Sequence, residues 1–267
     1  MNIVKIESRQ NQRIKNLLKL QKRNERTREN LFLIEGIKEI EKAVVAGYDI
    51  QSAFFCPDII SFDEVSKLLN PNGKVLFFEV TKEVFSKIAY RESTGGLVVT
   101  AVPKNHSLSD FPLSHNPLIL VIEGVEKPGN MGAIFRTVDA AAFDGIIICD
   151  PKVDLYNPNA IRASIGTVFN IHTALSTSEE AIHFLKENNI QIFATYLEGS
   201  VNYHTVDYKQ PSAIVMGTEA TGISDQWVKA AQSNIIIPMM GIADSLNVST
   251  ATAVVVFEAR RQRGFDL

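Results

Sequence analysis

Two rhythms of apolar and polar positions run along this chain: short unbroken apolar stretches, and longer amphipathic ones at helical spacing. Ile14, Leu17, Leu18 and Gln21 recur at helical spacing, with Ser8 and Asn11 available as caps, and predict an amphipathic helix over 11–24. An apolar run follows at Leu31–Ile34, then a helix near Ile37–Ala46 that Gly47 stops, and a strand near Ser52–Cys56. A helix at Phe62–Leu69, a strand at Val75–Glu79, a short helix at Lys82–Ile88 and a strand at Gly96–Val102 complete an alternating α/β unit. Residues 103–116, proline-bounded and rich in serine and histidine, read as a linker.

Beyond it the alternation becomes more regular. Strands are expected at Leu118–Glu123, Gly145–Cys149, Gln191–Leu197, Ala213–Gly217 and Ile235–Pro238. Helices are expected at Met131–Ala142, Asn159–Ile165, Glu179–Asn188, Ser224–Ala231 and Val248–Arg261. Continuous apolar strands between amphipathic helices imply a parallel sheet covered on both faces, with ligands beyond the carboxyl ends of its strands. The chain therefore divides into a smaller α/β domain over 1–102, the linker, and a larger α/β domain over 117–267.

Composition narrows the class. With 267 residues, 45% apolar and 21% charged, the chain has material for a sizeable core. No apolar stretch approaches the roughly 20 residues of a bilayer span. The basic N-terminus lacks the apolar segment and cleavage site of a secretory signal. Cys56 and Cys149 make no disulfide framework, and five scattered histidines give no metal-ligand spacing. A cytoplasmic, metal-free protein without membrane association is expected. The net charge of −3 conceals an asymmetry: residues 1–30 carry nine Lys/Arg against three acids, a net +6, which leaves −9 on the remainder. Such an arm is either a solvated helix face or the footprint of an RNA ligand.

Three patches carry candidate chemistry. In the first, Asn130-Met131-Gly132-Ala133-Ile134-Phe135-Arg136 opens a helix whose free N–H groups and dipole favour anions, with Arg136 one turn in. The structural alternative makes Asn130 an N-cap and Arg136 a surface charge. The patch is neither a dinucleotide fingerprint nor a P-loop. In the second, Met216-Gly217-Thr218-Glu219 ends a buried strand. There Gly217 lets a ligand reach backbone, and Glu219 either orients an arginine or caps the helix near Ser224. In the third, a buried strand runs through Met239 into Ser245-Leu246-Asn247-Val248-Ser249, a turn with more hydrogen-bonding groups than the N-cap of a helix requires.

Together and in this order, the three patches resemble the motifs of the SpoU/TrmH branch of the SPOUT methyltransferases, over residues 117–267. Upstream, Ile6 to Leu20, Phe32-Leu33-Ile34-Glu35-Gly36 and Ser93-Thr94-Gly95-Gly96-Leu97 resemble the L30e-like RNA substrate-binding domain often fused to that branch. The resemblance implies a parallel sheet with a deep C-terminal trefoil knot, against the general rule. It also implies a homodimer whose active site borrows residues across the interface. S-adenosyl-L-methionine is the implied cofactor, held by Gly217, Ile237 and Leu246 with Thr195, Tyr196 and Met239 as additions. Asn130, Arg136, Glu219, Ser245 and Asn247 are placed by the same resemblance around a ribose 2′-hydroxyl and its phosphate. A guanidinium, with a pKa above about 12, is a reluctant base, so Arg136 is expected to clamp phosphate and stabilise the developing alkoxide. Lys15, Lys19, Lys22, Arg23 and Arg26 are the expected RNA-backbone contacts. The implied substrate is large-subunit rRNA, with tRNA as the runner-up and a non-catalytic RNA-binding relative as the other alternative.

Overall fold

The computed structural model describes residues 3–69, 75–90, 95–218 and 221–265. Two compact units divide the chain: residues 1–105 together with 154–170, and residues 106–153 together with 171–267. The partition read from sequence assigns 154–170 to the second domain; in the structure that stretch packs with the first unit.

In the first unit, β1 (Ile3–Ile6) leads into α1 (Gln12–Lys19) and α2 (Arg23–Glu29), followed by β2 (Phe32–Glu35), α3 (Ile37–Val45), β3 (Ile50–Phe55) and α4 (Phe62–Leu69). Next come β4 (Leu76–Val80), α5 (Lys82–Ile88) and β5 (Leu97–Ala101). The five strands lie in the order β1-β4-β3-β5-β2; β1, β4 and β3 are parallel, while β5 runs against both β3 and β2. Ile14, Leu17 and Leu20 bury one stripe of α1 against Phe54, Phe78 and Val80 of the sheet. Residues 154–170 complete the core elsewhere in this unit. Tyr156 stacks on fully buried Phe32 with ring centroids 4.2 Å apart, Phe169 meets Tyr48 edge-on, and Lys42 Nζ donates to the carbonyl of Ile165 at 2.7 Å.

The second unit is built on β6 (Leu118–Glu123), α6 (Pro128–Ala140) and β7 (Gly145–Cys149), after which α7 (Pro158–Ala163) belongs to the first unit. The chain then continues through β8 (Thr173–Ser176), α8 (Ser178–Glu187), β9 (Gln191–Thr195), β10 (Val201–Asn202), β11 (Ser212–Met216), α9 (Asp225–Ala230), β12 (Ser233–Ile236) and α10 (Val248–Gln262). All seven strands are parallel, in the order β10-β12-β9-β11-β6-β7-β8. Every residue of β6, β7 and β11 is buried, which is why these strands read as unbroken apolar runs. Val121, Ile147, Ala194 and Val215 face a core that also holds Ala181 and Leu185 of α8 and Trp227 of α9. Helices α6 and α10 pack against one another, α10 also meeting β11. Part of the expected linker is structured: His106 accepts from the Leu175 amide at 2.8 Å and Phe111 is buried in the core. No helix among the described residues is long and apolar enough to cross a membrane.

Candidate functional site

Parallel strands end together, so the loops after β12, β9 and β11 leave the same edge of the sheet. Register fixes their alignment: Thr195 lies opposite Ile235, and Ala194 opposite Val215. A cavity of about 410 Å³ opens there, within the roughly 300–1,000 Å³ usual for small-molecule sites. Thr195, Gly217, Ile237, Met239 and Leu246, the five positions expected to hold a cofactor, all line it, as do Tyr196 and Ser245. Sequence reasoning missed Glu198, Thr221, Asp244 and Ala251, which also line it. Their signal was weak: single polar residues in loops and one small residue, Ala251, in the first turn of α10, at no recognisable spacing.

The wall after β11 is a tight turn. Thr218 and Gly222 exchange backbone hydrogen bonds of 3.0 and 3.1 Å, and the Thr221 amide donates to Thr218 Oγ1 at 3.0 Å. Gly217 is glycine for this turn: a Cβ there would stand 2.2 Å from the backbone of Gly222. Gly217 also lines the cavity, so a packing reason stands beside the expected ligand one. Glu219 lies outside the described residues. The turn is anchored at its far end by Glu123, a carboxylate only 9% exposed at the end of β6. Its oxygens accept from the Ser224 amide and hydroxyl, both at 2.7 Å, and from Ser178 Oγ at 2.8 Å. Thr195 donates its hydroxyl proton to the carbonyl of Val215 at 2.9 Å, so it faces a ligand as an acceptor.

The third wall is the turn into α10. Asn247 is the N-cap, its side chain accepting from the Ser249 amide at 3.0 Å. Its Nδ2 donates to Asn130 Oδ1 at 3.3 Å, joining the first and third patches. Ser245 Oγ lies 3.4 Å from Asp244 Oδ1. Two expectations about the first patch need correction. Helix α6 starts at Pro128, whose missing N–H suits a first helical position, so Asn130 lies inside the first turn and does not cap it. Arg136 is consequently more than two turns from the helix N-terminus, beyond the reach of its dipole. Its side chain is exposed and is not among the residues lining the cavity.

On the first unit, Lys15, Lys19, Lys22 and Arg23 are exposed. Arg26 is not, and it leaves the set of RNA contacts. It is 4% exposed, its Nε donates to Asp154 at 2.7 Å, and its Nη1 donates to the carbonyls of Leu20 and Gln21 at 2.8 and 2.9 Å. Those carbonyls lie at the end of α1, and tying them to Arg26 accompanies the break that divides the single expected helix into α1 and α2.

Comparison with known proteins sets this geometry in context. Residues 117–257 match the model of the SpoU rRNA Methylase family, and residues 11–99 match that of the MRM3-like substrate binding domain. The 23S rRNA (guanosine(2553)-2′-O)-methyltransferase RlmP of Bacillus subtilis (strain 168) is 27% identical over 96% of this chain and 98% of its own length. A tRNA (guanosine(18)-2′-O)-methyltransferase of Thermus thermophilus is 38% identical, but over only 55% of this chain and 75% of its own. Among solved structures, an AdoMet-bound rRNA methyltransferase from Sinorhizobium meliloti superposes with a TM-score of 0.89 at 32% identity, covering 97% of this chain and 98% of that one. With its family model covering more than half of its length and the cavity at the ends of β9, β11 and β12, this chain belongs to the SpoU rRNA methylase family.

Proposed function

We propose that this chain is an S-adenosylmethionine-dependent methyltransferase that methylates a ribose 2′-hydroxyl in large-subunit rRNA. The observation that carries the reading is the convergence of Thr195, Gly217, Ile237, Met239 and Leu246 on one cavity, with the Asn130–Asn247 pair joining its α10 wall to α6. The lining suits the cofactor. Ile235, Ile237 and Leu246 offer apolar surface to a nucleoside, Thr218 and Thr221 offer hydroxyls, and Glu198 and Asp244 complement an amino group and a sulfonium. Bound there, the cofactor supplies an electrophilic methyl group.

The protein's own part is positional and electrostatic. Holding the hydroxyl in line with the methyl contributes several kcal/mol, roughly 7–11 in favourable intramolecular cases. Asn130, Ser245, Asn247 and Glu219 are read as the groups that orient the ribose, and Arg136 as the clamp on the adjacent phosphate. Arg136 stands exposed on α6, outside the cavity of its own chain. We therefore read the active form as a homodimer in which Arg136 serves the partner's cavity. The return of α10 against α6 and β11, after β12 at the other side of β9, supports a C-terminal segment threaded as a trefoil knot. Residues 1–102 are read as the RNA-binding domain, 103–116 as the segment joining it to the catalytic domain, and 117–267, apart from the 154–170 excursion into the first unit, as the catalytic domain. The end-to-end likeness to an rRNA enzyme, against a half-length likeness to a tRNA enzyme, favours rRNA.

Mapping 2′-O-methyl sites in RNA from cells with and without the chain tests the substrate. One rRNA ribose is expected to lose its methyl when the chain is removed. A site lost from tRNA alone, or from no RNA, would overturn the proposal.

A further inference from the structure

The first unit holds a cavity of about 330 Å³ that methyl transfer does not use. It lies between the α1–α2 corner and the N-terminal ends of β3 and β4. Phe54 and Phe78 stack at 4.7 Å beneath it, and the guanidinium of Arg13 rests over the Phe78 ring at 4.8 Å. Leu76, 57% exposed, lines the same groove. Beside the rings, Ser52 Oγ and Thr100 Oγ1 are 2.6 Å apart. Two hydroxyls carry two protons and their mutual bond uses one, so the other proton and the spare lone pairs are left for a neighbour. Lys19 stands on the rim. Glu25 and Glu29 also line the groove, each within 2.8 Å of Arg28; with Arg13 and Lys19 the lining holds three cations against two carboxylates.

We propose that this groove takes one unpaired nucleotide of the RNA substrate. The base lies against Leu76 and the plane of Arg13, its polar edge meets Ser52 and Thr100, and its phosphates run toward Lys19 and Lys15. Planar, sequence-tolerant stacking beside a cationic track is how single strands are held. Charge selects the occupant: residues 1–30 carry +6 on a chain of net −3. The matched substrate-binding domain, residues 11–99, takes in every groove residue named here except Thr100. The inference rests on the RNA-methyltransferase reading for the identity of the polymer.

The test uses the full chain and a short unstructured RNA oligomer, with affinity measured across a salt series. Ser52→Leu fills the groove, and Thr100→Val removes a hydroxyl at nearly constant shape. Each is expected to weaken RNA binding, Ser52→Leu about tenfold as for loss of one stacked base, and to leave the slope of log affinity against log salt unchanged. Lys15→Ala with Lys19→Ala is expected to flatten that slope. S-adenosylmethionine affinity, measured by calorimetry, is expected to be unchanged in all of them. Unchanged RNA affinity in both groove variants, with thermal unfolding and cofactor binding intact, overturns the groove alone. A loss accompanied by a flattened slope overturns it too, since the contact would then be to phosphate. A wild-type chain that binds the cofactor and no RNA overturns the substrate reading together with the groove.

Discussion

Gly217 shows how one residue type can serve a reason other than the one that first draws attention to it. A glycine at a strand end beside a ligand suggests close approach of that ligand, yet here the crowding comes from the backbone of Gly222. Gly217→Ala must therefore reshape the Thr218–Gly222 turn. It is expected to cost roughly 1–3 kcal/mol as overpacking and to weaken cofactor binding as the wall moves; denaturant titration and calorimetry check both. Arg136 offers a cleaner separation of roles. Arg136→Lys keeps a charge but loses the planar fork, so activity is expected to fall while its pH profile stays in place. A profile that moves to follow a lysine pKa would make the residue a base instead of a clamp. Glu123, which tethers α8 and α9 beside the site, is expected to cost about 2 kcal/mol when replaced by Ala, because the Ser224 hydroxyl and part-buried amide lose a charged acceptor while Ser178 keeps Asp150 at 2.7 Å.

At the scale of elements, the basic N-terminal segment divides into two kinds of cation. Arg26→Ala is expected to destabilise the first unit by roughly 3 kcal/mol, the cost of leaving Asp154 and two carbonyls without their partner. Neutralising Lys15, Lys19 and Lys22 is expected to leave stability within about 0.5 kcal/mol and to reduce the salt dependence of RNA binding. Sequence alone could not separate the two, because the partner of Arg26 lies 128 positions away. The same physics decides which elements were readable. β6, β7, α4 and α5 are found at the expected residues, since their burial follows local periodicity and clear end signals. β1, β8 and β10 were not anticipated: β1 and β8 are only partly buried, both residues of β10 are exposed, and all three exist through pairing with distant strands. The early start of α6 was hidden by reading Asn130 as a cap when Pro128 already opened the helix. The five positions that the family resemblance offered for a cofactor line one cavity, where the ends of β9, β11 and β12 meet the start of α10. The exposure of Arg136 agrees with the structural alternative, a surface charge on α6.

For the whole molecule, the excursion of residues 154–170 means that the first unit is not contiguous in sequence: Tyr156 and Phe169 belong to its core. Its stability also carries an alkaline signature shared with the second unit. Burial pushes the Cys149 thiol from about 9 up to about 12, and raises the Tyr156 and Tyr208 hydroxyls above the usual phenol range. Each group is raised in the folded state, so its contribution is complete below about pH 9 and lost as pH rises toward 12 and beyond. Denaturant midpoints are expected to be flat from neutral pH to about 9 and to fall above it. At this scale the most direct measurement is calorimetric titration of S-adenosylmethionine into the wild-type chain and into Ala251→Trp, which places an indole in the cavity between β11 and α10. One cofactor per chain is expected to bind the wild type, and none the variant, with its thermal unfolding preserved. Equal affinity in a folded Ala251→Trp chain would contradict a cofactor site at the ends of β9, β11 and β12.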